Sequence, residues 1–277
     1  MQGKKWVPYS NDVYLYYYFA DVQSLVNWGN DGEELRNYRS ANGKLMSRVQ
    51  NIGFYFKGGL SWSVSLQRSQ LNKVKLIGRI PFRILPKGSI FGVAAQGVIV
   101  ESEKAWALLA ICCSKLIFAI SRLVTPDKMT GTASTASLPI VPLDLSNPKI
   151  KKLDSLAHEA HDLFREWTTG EEASTLFIKP WILQTLHGFN PNEFPLTKHP
   201  LAAQFEWSNW PTVQKIRSIT GSAETPLKHL AELCMKRQFM LNKRIAEIQK
   251  EIDEEVYRVY GITDEDKVLI EHELSLQ

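Results

Sequence analysis

The sequence predicts an α+β protein: a mixed, β-rich region followed by a helical region that closes with a long amphipathic helix. Three observations carry this. Between Asn51 and Val100, short apolar segments alternate with polar residues and are punctuated by glycine and proline, the pattern of strands and turns. From Glu101 to Val124 apolar residues occupy most faces of a helical period. Near the C-terminus Leu230, Leu233, Leu241, Ile245, Ile248, Ile252, Val256 and Val259 step by threes and fours, with Arg237 filling the stripe between Leu233 and Leu241.

Taken in order, the first forty residues are rich in aromatics (Trp6, Tyr9, Tyr14, Tyr16, Tyr17, Tyr18, Phe19, Trp28), and Tyr14 to Phe19 is expected to be a strand or an interfacial segment. Trp28-Gly29-Asn30-Asp31-Gly32 has turn chemistry, with a short helix expected from about Glu33. Strands are expected over Ile52 to Phe56, ending at Gly58-Gly59, over Leu60 to Leu66, and over Lys75 to Ile84, where Pro81 implies an edge or a bend. Leu85-Pro86-Lys87-Gly88 is a turn, and Ile90 to Val100 is extended. One buried helix is expected over Glu101 to Val124. Its apolar core, Ala105 to Ile120, is interrupted by Lys115 and is too short to span a bilayer. Thr125 to Ser137 is a polar loop and Leu138 to Leu143 an extended connector. A helix follows from about Pro148 to Trp167, then a proline-rich stretch of short helices and irregular chain to residue 226. Gly261 ends the long helix, and Asp264, Glu265, Asp266, Glu271 and Glu273 mark a short acidic tail helix.

Charge is distributed unevenly. The chain holds 33 lysines and arginines against 29 acidic residues, a net charge of +4. Yet no aspartate or glutamate lies between Leu35 and Val100, where Arg36, Arg39, Lys44, Arg48, Lys57, Arg68, Lys73, Lys75, Arg79, Arg83 and Lys87 all fall. The remainder is therefore net acidic. A local cationic field of this kind suits a polyanion. The three cysteines, Cys112, Cys113 and Cys234, make a poor disulfide framework and contain no CxxC, which fits a reducing, cytoplasmic setting. Asn11, Asp12 and the neighbouring tyrosines argue against a signal peptide.

Several chemistries lack their residues. Adenine methylation needs a glycine-rich turn after a strand for S-adenosylmethionine and an Asn/Asp-Pro-Pro-aromatic loop for the base. Asn147-Pro148-Lys149 and Asn190-Pro191-Asn192 lack the second proline and the aromatic. No phosphate-binding GxxxxGK[ST] and no nucleophile elbow occur. His158 and His161, with Glu159 and Asp162, offer too few ligands for a metal. No catalytic residue, metal or cofactor is expected.

Binding is the better expectation. In Phe54-Tyr55-Phe56-Lys57-Gly58-Gly59-Leu60-Ser61-Trp62-Ser63 and in Arg79-Ile80-Pro81-Phe82-Arg83-Ile84-Leu85-Pro86-Lys87-Gly88-Ser89-Ile90-Phe91, cations and hydroxyls alternate with aromatics. Lysine and arginine neutralise phosphates, serines and turn amides donate to them, and arginine can read guanine. The candidate DNA-binding residues are Arg48, Lys57, Ser61, Trp62, Ser63, Arg68, Arg79, Arg83 and Lys87, with Lys128 and Thr130 from the polar loop.

These segments resemble the C-terminal target-recognition region of large adenine-specific DNA methyltransferases, namely the PglX-like enzymes of BREX phage defence and fused type IIG restriction-modification enzymes. The likeness is carried by Val26 to Asn37 (VNWGNDGEELRN), Phe54 to Ser63 and Phe82 to Phe91. It continues through Leu108 to Lys115, through Ser137 to Pro142, and through Ile252 to Ile262 (IDEEVYRVYGI). Two blocks depart from the family: Tyr14 to Phe19 replaces a Gly/Trp-Tyr-Gly pattern, and Gly92 to Gly97 stands where the family has D-x-x-G. The resemblance implies a DNA-reading lobe over residues 1–143 and a helical spacer lobe over 144–277. It implies double-stranded DNA as one partner. The other would be a methyltransferase, or methyltransferase-nuclease, core, with this chain a separate recognition subunit or a fragment of a larger enzyme, and with no membrane involved. The alternative is a structural interaction module whose basic face docks an acidic protein.

Overall fold

The computed structural model describes residues 5–10, 17–63, 79–92, 95–124, 135–178, 180–186 and 224–275. The fold is mixed α+β, as expected, and divides into two compact units, Met1–His158 with Gln249–Gln277, and Glu159–Ile248.

The first unit contains two three-stranded sheets. In one, β1 (Trp6–Ser10) lies between β2 (Ser24–Asn27), antiparallel with Trp6 opposite Asn27, and β5 (Ile90–Phe91), parallel with Tyr9 opposite Ile90. In the other, β3 (Gly59–Ser63) is central, flanked antiparallel by β4 (Arg83–Leu85) and β6 (Ala95–Ile99). β4 begins two residues after Pro81, so the proline stays out of the ladder, and Tyr18 bridges to the outer side of β4 through Phe82 O and the Ile84 N–H. Gly59 has a steric reason: a Cβ there would sit 2.0 Å from the Val98 carbonyl oxygen across the ladder.

Between β2 and β3 the turn chemistry behaves as read. Helix α1 is bounded by Gly29–Asn37, but Asn30, Asp31 and Gly32 are left-handed, so the right-handed turns begin at Glu33. A Cβ on Gly32 would lie 2.8 Å from the Trp28 ring, and its φ of +76° already favours glycine. The expected strand over Ile52 to Phe56 is instead a 3-10 turn, Ile52–Phe54, closed by Phe54 N–H to Asn51 O at 2.9 Å and Tyr55 N–H to Ile52 O at 3.0 Å. Tyr55 and, in part, Phe56 point inward, whereas Ile52 and Phe54 are exposed, so burial does not alternate along the segment as a strand requires.

The expected single helix over Glu101 to Val124 is two, α2 (Ser102–Cys112) and α3 (Lys115–Val124), bent by 74°. The break is capped locally. Ser114 Oγ accepts the Ile117 N–H at 3.3 Å, and Asp253 Oδ1 accepts the Lys115 N–H at 2.9 Å, satisfying donors that a new helix leaves open. Among the described residues no single helix is long and apolar enough to cross a membrane.

Helix α4 (Pro148–Thr168) starts with proline at its first position and the Asn147 side chain accepting the Lys149 N–H at 3.0 Å. After the short α5 (Trp181–Leu186), helix α6 (Glu224–Tyr260) buries Leu241, Ile245, Ile248, Ile252 and Val256. It ends as its sequence requires: Gly261 has φ +67°, and Ile262 N–H reaches back to Tyr257 O at 2.9 Å. Thr263 and Asp266 cap α7 (Asp264–Ser275) reciprocally. In the second unit Arg237, the polar member of the α6 stripe, is buried. Its Nε donates to Glu166 Oε1 at 2.9 Å, and its guanidinium lies 4.1 Å from the Trp181 ring centroid. Residues Tyr14, Tyr16, 64–78, 125–134 and 187–223 lie outside the described residues, and with them the strand expected from Lys75, the polar loop and much of the proline-rich stretch.

Candidate nucleic-acid interface

Three sequence blocks, far apart in the chain, meet in one aromatic cluster of the first unit. Val7, Trp28, Tyr55 and Ile90 form its buried centre, with Phe56 and Phe91 packed against it. Trp28 meets Tyr55 edge-on at 5.2 Å and Phe56 at 5.9 Å, and Tyr55 meets Phe91 at 5.3 Å. Buried aromatics of this size contribute about 1.5–3 kcal/mol each by transfer, with more from the edge-to-face geometry. The second and third blocks are also joined along the backbone. Phe56 N–H donates to Ser89 O at 2.9 Å and Gly88 N–H to Phe56 O at 3.1 Å. This pairing brings together the segments that carry Lys57 and Lys87, both of which are exposed. Lys57 Nζ sits 5.6 Å from the Phe54 ring centroid.

The candidate residues therefore divide. Arg48, Lys57 and Lys87 are exposed cations. Ser61, Trp62, Arg79 and Arg83 are buried, which corrects the expectation that they lie at a DNA-contacting surface. Trp62 packs on Phe82 at 5.0 Å because its strand is the middle one of three. Arg79 donates to the Cys113 carbonyl at 2.8 Å and to both carboxylate oxygens of Asp253. Ser63 belongs to β3, while Arg68, Lys128 and Thr130 lie outside the described residues.

Burial is felt by both partners of the Arg79–Asp253 pair. It works against the arginine's charge, yet Asp253 overcomes it and the Arg79 pKa is raised; it pushes the Asp253 carboxyl up against the pull of Arg79 and the Lys115 amide. The pair is held ionised at neutral pH, because three donors converge on one carboxylate.

Other exposed cations complete the surface. Arg39 and Lys44 stand on a small hairpin in which Ser40 N–H donates to Lys44 O at 2.9 Å and Met46 N–H to Tyr38 O at 2.9 Å. The Asn42-Gly43 dipeptide, with Gly43 at φ +78°, is the signal that could have located it. Arg36 is exposed as well, its Nε donating to Asp31 O at 2.9 Å.

A recess of about 520 Å³ lies in the same unit, with Arg48 the one cation in its lining. Its lining comes from two segments, one with Arg48, Gln50, Asn51, Phe54 and Tyr55 and one with Phe91, Gly92 and residues 95–99. No carboxylate is among the described residues that line it. Burial raises the pKa of the Tyr55 phenol, so it stays neutral. The carboxamides Gln50, Asn51 and Gln96 were not singled out by charge, since they carry none.

No protein-family model matches the chain. Over 185 residues it is 26% identical to the adenine-specific methyltransferase BrxX of Escherichia coli O9:H4 (strain HS), a stretch that covers 66% of this chain and 13% of that protein. The chain is thus similar to a part, roughly an eighth by length, of an adenine-specific methyltransferase.

Proposed function

We propose that this chain is the DNA-reading part of an adenine-specific methyltransferase system of the phage-defence type. It would hold duplex DNA through the exposed cations of its first unit and lend sequence preference to a catalytic core carried in the same or another polypeptide. One observation carries the reading: Arg36, Arg39, Lys44, Arg48, Lys57 and Lys87 are all exposed on a stretch of chain that contains no acidic residue. A surface of this kind releases counterions when it meets phosphates, and its neighbouring carboxamides can add base contacts. The similarity to BrxX supports the methyltransferase context.

Fluorescence anisotropy of a labelled duplex tests it. Each of Arg48→Ala, Lys57→Ala and Lys87→Ala should flatten the slope of log affinity against log salt by about 0.9, without unfolding the chain. A triple variant that binds duplex as wild type does removes the basis for this footprint. Displacement of DNA by an acidic polypeptide at equal charge would favour protein docking instead.

A further inference from the structure

We infer that the recess beside Arg48 is a pocket for a single unpaired nucleobase, one displaced from the stack of the DNA held by the exposed cations of this unit. The inference rests on the proposed DNA-binding function and adds a ligand subsite to it. Shape is the first argument. Base-pair edges lie on the floor of the DNA grooves, so reading them needs an element that protrudes from the protein. A recess receives what projects from the DNA, and an extruded base is such a group. At about 520 Å³ the recess is in the size range of small-molecule sites and can hold a base with its sugar.

Chemistry is the second argument. Gln50, Asn51 and Gln96 each bring a carboxamide, a donor beside an acceptor, which matches the Watson–Crick edge of a base. Phe54 and Phe91 offer ring surface, and Phe54 is 51% exposed although it lines the recess. A phosphate would call for cations, but Lys57 and Lys87 do not line the recess; Arg48 alone does. That distribution puts phosphates outside and the heterocycle inside.

Preorganisation is the third. Asn51 is held at φ +58° by the 3-10 turn that follows it, and Tyr55 is anchored in the aromatic cluster against Trp28 and Phe91. The segment that carries Gln50 and Asn51 is therefore tied to the core of the unit through Tyr55.

The test uses the whole 277-residue chain and duplexes with one central bulged nucleotide, each of the four bases in turn, beside the same duplex with an abasic bulge. Wild type should bind at least one base-bearing bulge about tenfold tighter than the abasic one, within the range for base stacking. Phe54→Ala and Asn51→Gly, which keeps the left-handed backbone while deleting the carboxamide, should bring that ratio close to one at an unchanged salt slope. Melting curves confirm that both variants are folded, and Gln50→Ala, at an exposed position, serves as a further variant. If wild type binds base-bearing and abasic bulges equally, or the variants keep the preference, the pocket assignment fails while DNA binding stands. If wild type binds no duplex at low salt, the DNA-binding reading fails with it.

Discussion

Arg79 Nη1 lies 3.0 Å from Asp253 Oδ1, although 174 residues separate the two in the chain. The pair is buried, and it joins the β region, the α2–α3 break through the Cys113 carbonyl and Lys115 amide, and the last turns of α6 through the Gln249 carbonyl. An arginine inside a strongly cationic stretch is thus bound by an acid from the opposite end of the sequence.

Removing one partner should be costly. Arg79→Ala or Asp253→Ala leaves a buried charge without its counter-ion, and urea unfolding should show a loss of about 3–5 kcal/mol. Arg79→Met combined with Asp253→Leu should cost much less than the sum of the single changes. A single variant within 1 kcal/mol or so of wild type would mean that the interior is better hydrated than this geometry implies.

Glycines in two of the motif blocks should differ in kind from a glycine in the hairpin. Gly43→Ala meets nothing within 4 Å and should cost only its left-handed backbone, about 1 kcal/mol. Gly59→Ala drives a Cβ into the Val98 carbonyl, and Gly32→Ala meets the Trp28 ring. Both should lose about 2 kcal/mol or more, with Gly59→Ala the worse because backbone must move. Thermal melts of the three variants rank them directly; equal losses would contradict the packing.

Alkaline pH should destabilise the first unit. Burial pushes the Cys112 thiol from 9.0 up to about 12, and burial likewise raises Cys113, Tyr17 and Tyr18 against the opposing pull of Arg79. Each folded pKa lies above its unfolded value, so the unfolded chain releases protons first. The contribution is fully present below the unfolded pKa and is lost as pH climbs toward the folded one. From about pH 9, stability should fall by about 1.4 kcal/mol per pH unit for each ionising group. A melting temperature that stays flat from pH 8 to pH 11 contradicts this.

The chain alone should neither bind S-adenosylmethionine nor methylate DNA. A cofactor turn needs glycines between a strand and a helix N-terminus. Here Gly59 opens strand β3 rather than a helix, and the space over Gly32 is filled by the Trp28 ring. Titration calorimetry with S-adenosylmethionine should give no binding heat, whereas micromolar affinity would call for a site not described above.

By itself the sequence determined what depends on neighbours a few residues apart. The turn before Glu33, the start of α4 near Pro148, the Gly261 stop of α6 and the apolar stripe of α6 were all legible, because turn preference, backbone preference and helical period are local. So was the cationic stretch. Only the tertiary structure decided which of its cations face water. Arg79 and Lys57 look alike in sequence, and what separates them is a partner, Asp253, supplied from another part of the fold. Local pattern also misled where burial was not local. Ile52 to Phe56 has the residues of a strand but no sheet to join, and the apolar run across Cys113 has the residues of one helix but is cut by Ser114 and Asp253. The recess beside Arg48 belongs to the same class. Its carboxamides and rings come from two separate segments, 48–55 and 91–99, which the aromatic cluster of Trp28, Tyr55 and Phe91 and the backbone bonds between Phe56 and Gly88-Ser89 hold against one another.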